Sequence, residues 1–198
     1  VQSVQDMLKE ETWTRATISN YTQNNLKEFA NIVEKAHSEN CADEIYDICQ
    51  EHLSHSKDSI IALYICGILD LQKGSLDNSS LVTLVDIFKN NHKEPIVTYL
   101  CESILEDDPN NKFALRTLAE GYRAEGNEKY WDLYAQIVKI DFEEADLARL
   151  LAEHYEEAGD VDMTVSYYKK AILRHINNSN YNASKEVWSK HIQYIPQE

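Results

Sequence analysis

The chain of 198 residues is poor in backbone breakers, with only 5 Gly and 3 Pro. That leaves little material for a glycine-rich, phosphate-cradling loop, and no GxSxG, HExxH or paired CxxC occurs. Catalysis is not expected of these residues, nor is a cofactor or a metal. No run of 18 apolar residues is present, which excludes a helical membrane span, and no signal-peptide pattern is visible. The four cysteines (Cys41, Cys49, Cys66, Cys101) sit in helical apolar patterns. Reduced, buried thiols of a cytoplasmic protein explain them better than a disulfide framework. Cations are scarce: 19 Lys and Arg face 34 Asp and Glu, for a net charge of −15. Duplex nucleic acid and anionic membrane are poor partners for such a surface, so direct nucleic-acid or membrane contact is not expected. Four Asn-x-Ser/Thr acceptor patterns, beginning at Asn20, Asn78, Asn177 and Asn182, are what an Asn-rich chain produces by chance.

What is present is a line written twice, 33 residues apart. Leu118-Ala119-Glu120-x-Tyr122-x-x-x-Gly126-Asn127 returns as Leu151-Ala152-Glu153-x-Tyr155-x-x-x-Gly159-Asp160. A period of this length marks a helical repeat, each unit being a helix, a tight turn and a second helix. Ala119 and Ala152 let a neighbouring helix approach, and Tyr122 and Tyr155 share their face three residues on. Gly126 and Gly159 end those helices, where a left-handed residue costs glycine little. The second helices are predicted over residues 129–140 and 161–174, with Tyr134, Ile137 and Val138 in one and Tyr167, Lys170 and Ala171 in the other.

A weaker third copy lies 33–34 residues upstream, with Leu84, Val85 and Phe88 in the first helix and Val97, Cys101 and Ile104 in the second. Pro109 closes it, as Pro does beyond a helix end. The arrangement resembles the tetratricopeptide repeat, strongly over residues 111–175 and partially over 79–110. It departs at the first position, Leu115 or Ala148 where the family has Trp, and in the second helix, Trp131 or Thr164 where the family usually has Ala. The resemblance implies an all-α, helical-hairpin repeat solenoid, a tetratricopeptide-like superhelix. Such a solenoid offers a long binding surface and rarely a catalytic cleft.

The remainder of the chain also reads as helical. Residues 4–19 form an amphipathic helix with Met7, Leu8, Trp13 and Ile18, and 20–25 a polar break. Residues 26–38 and 42–53 carry apolar stripes at three and four. Asp58 and Ser59 can cap a helix over 60–72, which is apolar almost all round and should be buried. Ser79-Ser80 opens the next helix, and 183–194 is predicted as a terminal helix. Its Tyr181, Val187, Trp188 and Ile192 would cap the open end of the stack or dock onto a further helix, since Ile195-Pro196 looks like an inter-repeat junction. The expected organisation is an irregular helical region over 1–78 and tetratricopeptide-like repeats with a capping helix over 79–198, or one continuous solenoid over 1–198. The chain opens on Val rather than Met, so it is expected to be a piece of a longer polypeptide.

Three groups of residues are weighed as sites. Cys49-x-x-His52-x-x-His55 lies on one helical face, but a structural zinc needs four ligands and no second set with sensible spacing is present. A partly buried Cys with two solvated His is the better account. The inner face of the repeats carries Arg116, Glu120 and Arg123 in one unit, Arg149, Glu153 and Glu156 in the next, and Val82, Asp86 and Lys89 in the preceding one. Three of the chain's five arginines fall here. Their forked donors suit carboxylates, which makes Arg116, Arg123 and Arg149 candidates for gripping an acidic or C-terminal peptide. Ion pairing within the stack, with Glu120 and Glu153, is the somewhat stronger reading. Tyr122, Tyr155 and Phe88 are read as packing residues, and Trp13, Trp131 and Trp188 as core or cap residues.

Four segments carry a further resemblance: residues 11–18 (ETWTRATI), 59–65 (SIIALYI), 111–120 (NKFALRTLAE) and 150–157 (LLAEHYEE). Together they look like the long amino-terminal extension of spirochaetal GreA-type transcription elongation factors. The resemblance implies a bacterial, cytoplasmic protein attached to a factor that enters the secondary channel of RNA polymerase with an acidic coiled-coil tip and stimulates cleavage of backtracked RNA. The coiled coil and the polymerase-binding domain are not among these residues, so no functional residue carries over. The expectation is a non-enzymatic protein–protein interaction module whose partner is RNA polymerase or another transcription component. A free-standing co-chaperone or assembly scaffold is the first alternative. An RNA-processing module and a metal-dependent hydrolase using Cys49, His52 and His55 are weaker ones.

Overall fold

A computed structural model describes the backbone of residues 1–14 and 18–194 and the side chains of those residues other than 12–14. The expectations for Trp13 and for Ile195-Pro196 lie outside the described residues. The described residues form an all-α structure. Its helices are α1 (Gln2–Thr14), α2 (Gln23–Ser38), α3 (Ala42–His55), α4 (Ile60–Gln72), α5 (Ser79–Asn90), α6 (Glu94–Asp107), α7 (Lys112–Ala124), α8 (Tyr130–Ile140), α9 (Asp146–Glu157), α10 (Val161–Asn177) and α11 (Tyr181–His191). Short 3-10 turns occur at Ile18–Asn20 and Ile192–Tyr194. Two compact units are present, Val1–Phe113 and Ala114–Glu198.

The first unit is organised around α4, which packs on α2, α3 and α5. Every residue from Ile60 to Leu69 is buried, as a helix apolar on all sides requires. Gly67 permits the close approach of α5: a Cβ there would sit 2.6 and 2.7 Å from side-chain atoms of Leu81. Ser59 caps α4, its hydroxyl oxygen accepting from the Ala62 N–H at 3.3 Å. Glu11 of α1 reinforces the cap by accepting from the Ser59 hydroxyl and, at 3.1 Å, from the Ile61 N–H. Burial raises the Glu11 carboxyl above its usual value, against the lowering effect of those two donors. An aromatic chain fills the unit: Tyr21 meets Phe29 and Phe88, and Phe29 meets Tyr64, with ring centroids 5.8–6.3 Å apart. Phe88 is thus a packing residue, and Leu84, Val85, Val97, Cys101 and Ile104 are buried with it. Burial pushes the Cys101 thiol up to about 12.

Several boundaries differ from expectation. Within the expected helix over 4–19, α1 is described as far as Thr14, and Ile18–Asn20 form a 3-10 turn instead. The polar stretch 20–25 is a break only as far as Thr22, because Thr22 and Asn25 form a capping box that starts α2 at Gln23. The Thr22 N–H donates to the Asn25 Oδ1 at 2.8 Å. Helix α3 runs on to His55, and α10 to Asn177, where Ser179 adopts φ +60°.

In the second unit α9 packs on α8 and α10, and α11 on α10. Leu118, Ala119, Leu151 and Ala152 are buried, and Gly126 and Gly159 have φ of +73° and +78°, the left-handed turns that the repeat demands. Of the residues named in the last second helix, Tyr167 and Ala171 are buried, together with Thr164, Tyr168, Ile172, Arg174 and His175, while Lys170 is exposed with its ammonium 4.9 Å from the centroid of the Tyr167 ring. The terminal helix starts at Tyr181 rather than at 183, and of the four residues expected to cap the stack or to dock onto a further helix only Val187 is buried. Its inward face is Ser184, Val187 and His191, so Tyr181, Trp188 and Ile192 point outward.

Candidate functional site

Helix α7 places Arg116 near its middle and Arg123 in its last turn. The Arg116 Nη2 lies 2.6 Å from the Glu144 Oε2 and 3.6 Å from the Asp141 Oδ2. Both acids belong to the turn between α8 and α9, so the arginine secures that turn rather than projecting freely. Glu144 also receives the Leu147 N–H at 3.1 Å, starting α9. From the other side Arg174 of α10 donates to the Glu144 carbonyl at 2.9 Å and the Val138 carbonyl at 2.8 Å. Asn178 adds a bond to the Glu143 carbonyl at 2.8 Å. The turn is therefore clamped by two guanidinium groups, one partly exposed and one buried. Burial lowers the Arg174 pKa, and the charges of Asp141 and Glu144 oppose that shift.

Arg174 is not among the residues singled out from the sequence. It stands three residues after Ala171 and seven after Tyr167, on the stripe those two share. A basic residue on such a stripe is the available signal.

Arg123 is exposed. Its Nη1 donates to the Tyr134 hydroxyl at 3.2 Å, and its guanidinium lies 5.9 Å from the Tyr130 ring centroid. Arg149 is half-buried, and its buried Nε–H meets no hydrogen-bond partner among the described residues. Glu153 is paired with Lys190 of α11 at 2.9 Å, and Glu120 is exposed. The repeat face thus contains one arginine held by turn acids, one by tyrosines, and one with a donor left over.

An aromatic series runs beside these residues. Trp131 stacks on His154 at 4.1 Å between centroids and 17° between planes. Tyr130 and Tyr134 lie against Trp131, and Tyr155 stacks on Tyr167 at 5.7 Å. Trp131, expected as a core or cap residue, is half-buried.

The Cys49, His52 and His55 triplet does not converge. Cys49 is sealed in the core of the first unit, whereas His52 and His55 line a shallow surface pocket with Gln5, Leu8 and Ile48. Among the described residues no group of three His, Cys, Asp or Glu is arranged to hold a metal ion. No described helix is long and apolar enough to cross a membrane.

No family model matches the chain. It is 46% identical over 176 residues to a protein of Treponema pallidum named for GreA-associated domains, a match covering 89% of this chain and 27% of that protein. It is 32% identical over 196 residues to the transcription elongation factor GreA of Borreliella burgdorferi, covering 98% of this chain and 22% of that factor. The chain therefore spans about a quarter of the length of the curated relatives it matches. Among solved structures, the MamA RS-1 ArsTM double mutant is 13% identical with a TM-score of 0.33, covering 85% of this chain and 93% of that one. The two sequence relationships bear out the resemblance read from the four segments: the chain is a relative of spirochaetal GreA-related proteins and fits the amino-terminal extension of one.

Proposed function

We propose that the chain is a non-enzymatic, cytoplasmic docking module of a GreA-related transcription elongation factor. Its hairpins stack as a tetratricopeptide-like solenoid, and its partner is RNA polymerase or another protein of the transcription machinery. The observation that carries this reading is the pair of relatives, which match nearly the whole chain while it accounts for only about a quarter of each. A segment of that size, made of helical hairpins and without a convergent metal-binding cluster among its described residues, is suited to holding a protein. The repeat face supplies a grip. Arg149 forms no ion pair among the described residues, and the outer nitrogens of its half-buried side chain suit a ligand carboxylate. Arg116 and Arg123 of α7 are already held, by Asp141 and Glu144 and by the Tyr134 hydroxyl, so the grip rests on Arg149.

The test is a direct titration of the purified chain with bacterial RNA polymerase, read by fluorescence anisotropy. Saturable binding that weakens at least tenfold in the Arg149→Ala variant is the expected result. If polymerase does not bind at micromolar concentration while acidic C-terminal peptides do, the polymerase assignment fails and the free-standing scaffold takes its place. If neither binds, the interaction reading itself is lost.

A further inference from the structure

Helix α11 has two faces with different fates. The inward one, Ser184, Val187 and His191, is spent on α10. The outward one carries Tyr181, Lys185 and Trp188 at helical spacing, followed by Ile192 in the adjoining 3-10 turn, with Tyr181 59%, Trp188 46% and Ile192 51% exposed. Isolated exposed apolar residues are ordinary, but a stripe of them along one helix marks a contact surface. On the neighbouring helix α10, Leu173 and Ile176 are exposed as well. The two helices are joined by the Ser184 hydroxyl, which donates to the Ile172 carbonyl of α10 at 3.4 Å; burial and then the charge of Lys169 on α10 lower the pKa of His191, whose ring lies 5.7 Å from that of Trp188 on the same helix.

The repeat register says what kind of element fits. Trp188 stands 33 residues after Tyr155, which itself stands 33 after Tyr122. At Tyr155 the aromatic ring is covered by the second helix of its hairpin, through Tyr167 at 5.7 Å. Trp188 occupies the equivalent position on α11 and remains nearly half exposed. The charge around it gives the chemistry of the occupant. Residues 169–194 contain Lys169, Lys170, Arg174, Lys185 and Lys190 against Glu186 alone, in a chain of net charge −15, and the α9 carboxylates that reach this stretch are spent, Glu153 on Lys190 and Glu156 on the Tyr168 hydroxyl. Lys190 is paired and Arg174 buried, which leaves Lys169, Lys170 and Lys185 as the exposed cations of this stretch.

We propose that the outward face of α11, with the adjoining edge of α10, docks an acidic amphipathic α-helix from a protein partner. That helix lies against Trp188 as the second helix of a hairpin lies against its first, with acidic flanks over Lys169 and Lys185. This rests on the docking-module reading and deepens it by adding a surface separate from the Arg149 face.

Two synthetic helical peptides of identical apolar pattern, one flanked by Glu and one by Lys, are titrated into the full chain by calorimetry and tryptophan emission. The Glu peptide is expected to bind and the Lys peptide not. Binding should weaken at least tenfold in Trp188→Ala and in the double variant Lys169→Glu, Lys185→Glu, and be unchanged in Arg149→Ala. Circular dichroism on each variant verifies that the helices persist, as exposed positions allow. Equal binding of both peptides, or of neither, overturns the proposal. Loss of Glu-peptide binding in Arg149→Ala alone moves the peptide to the repeat face, overturning this site while leaving the docking function standing. Self-association abolished by Trp188→Ala in sedimentation would make a second copy the occupant and overturn it too. Preferential binding of anionic vesicles or single-stranded RNA through Trp188 would do the same. A positive peptide result with no polymerase binding supports this site and removes only the polymerase assignment.

Discussion

The two arginines on the turn between α8 and α9 share a chemistry and differ in what their loss should cost. Arg116 makes a close ion pair, but its side chain is 41% exposed, and exposed pairs contribute about 1 kcal/mol or less. Arg174 is 8% exposed and satisfies two backbone carbonyls. Leaving buried acceptors unpaired costs about 1–3 kcal/mol, and the lost packing of the side chain adds to it. Chemical denaturation is expected to show Arg174→Ala destabilised by about 3 kcal/mol and Arg116→Ala by about 1 or less. Equal losses would mean that the clamp is shared rather than borne by the buried residue.

Glu11 gives a pH signature at the same scale. Its folded-state carboxyl pKa is raised, chiefly by burial, above the ordinary value of 4.5. A raised acid favours the protonated native state, so its contribution is fully present below about 4.5 and is lost as pH rises through the folded value. Relative to Glu11→Gln, the native protein should therefore gain stability as pH is lowered from neutrality towards 4.5. Midpoints of urea unfolding measured across that range check this, and a difference that moved the other way would reverse the assigned cause. None of this was legible in the sequence, because Glu11 sits 48 residues from Ser59 and meets it only in the fold.

Elements were far more legible than their ends. The apolar stripes of α2, α3, α5 and α6 and the repeated line in α7 and α9 are local patterns, set by three-and-four spacing, and they place the helices without tertiary information. The capping box at Thr22 depends on two polar side chains whose role periodicity does not report. Which side of a helix Lys170 and Trp188 occupy is set by their angle around it, which puts both outside, and the repeat spacing alone does not report that. Gly67 tests how tightly the elements are fitted. Alanine gains about 1 kcal/mol over glycine in a helix interior. Its Cβ would, however, meet Leu81, which is itself fully buried and has nowhere to go. Overpacking of this kind costs about 1–3 kcal/mol, so Gly67→Ala should lower the thermal midpoint despite its better propensity. Gly159→Ala should also destabilise, by about 1 kcal/mol, but with no steric neighbour: nothing lies within 4 Å of its Cβ position and the whole cost is the φ of +78°. A Gly67→Ala variant as stable as the wild type would show that α4 and α5 have room to separate.

At the scale of the molecule the controlling quantity is charge, and the sequence reports it in full. A net charge of −15 on 198 residues makes the folded state repel itself, since folding brings like charges closer than the unfolded chain does. The Debye length falls from about 30 Å at 0.01 M salt to about 8 Å at 0.15 M, so added salt weakens this long-range repulsion while sparing partly buried pairs such as Arg116–Glu144. Surface ion pairs such as Lys73–Asp43, both largely exposed, pull in the other direction but contribute little each. The repulsion should win. The thermal midpoint is expected to rise between about 0.01 and 0.2 M sodium chloride, within the range where screening changes most. The same addition should weaken any acidic helix held against Lys169 and Lys185, because that contact is an attraction between exposed charges. Differential scanning calorimetry and peptide titration over one salt series then move in opposite directions. A midpoint that fell with salt would mean that attractive surface pairs, and not the net charge, dominate the stability of the fold.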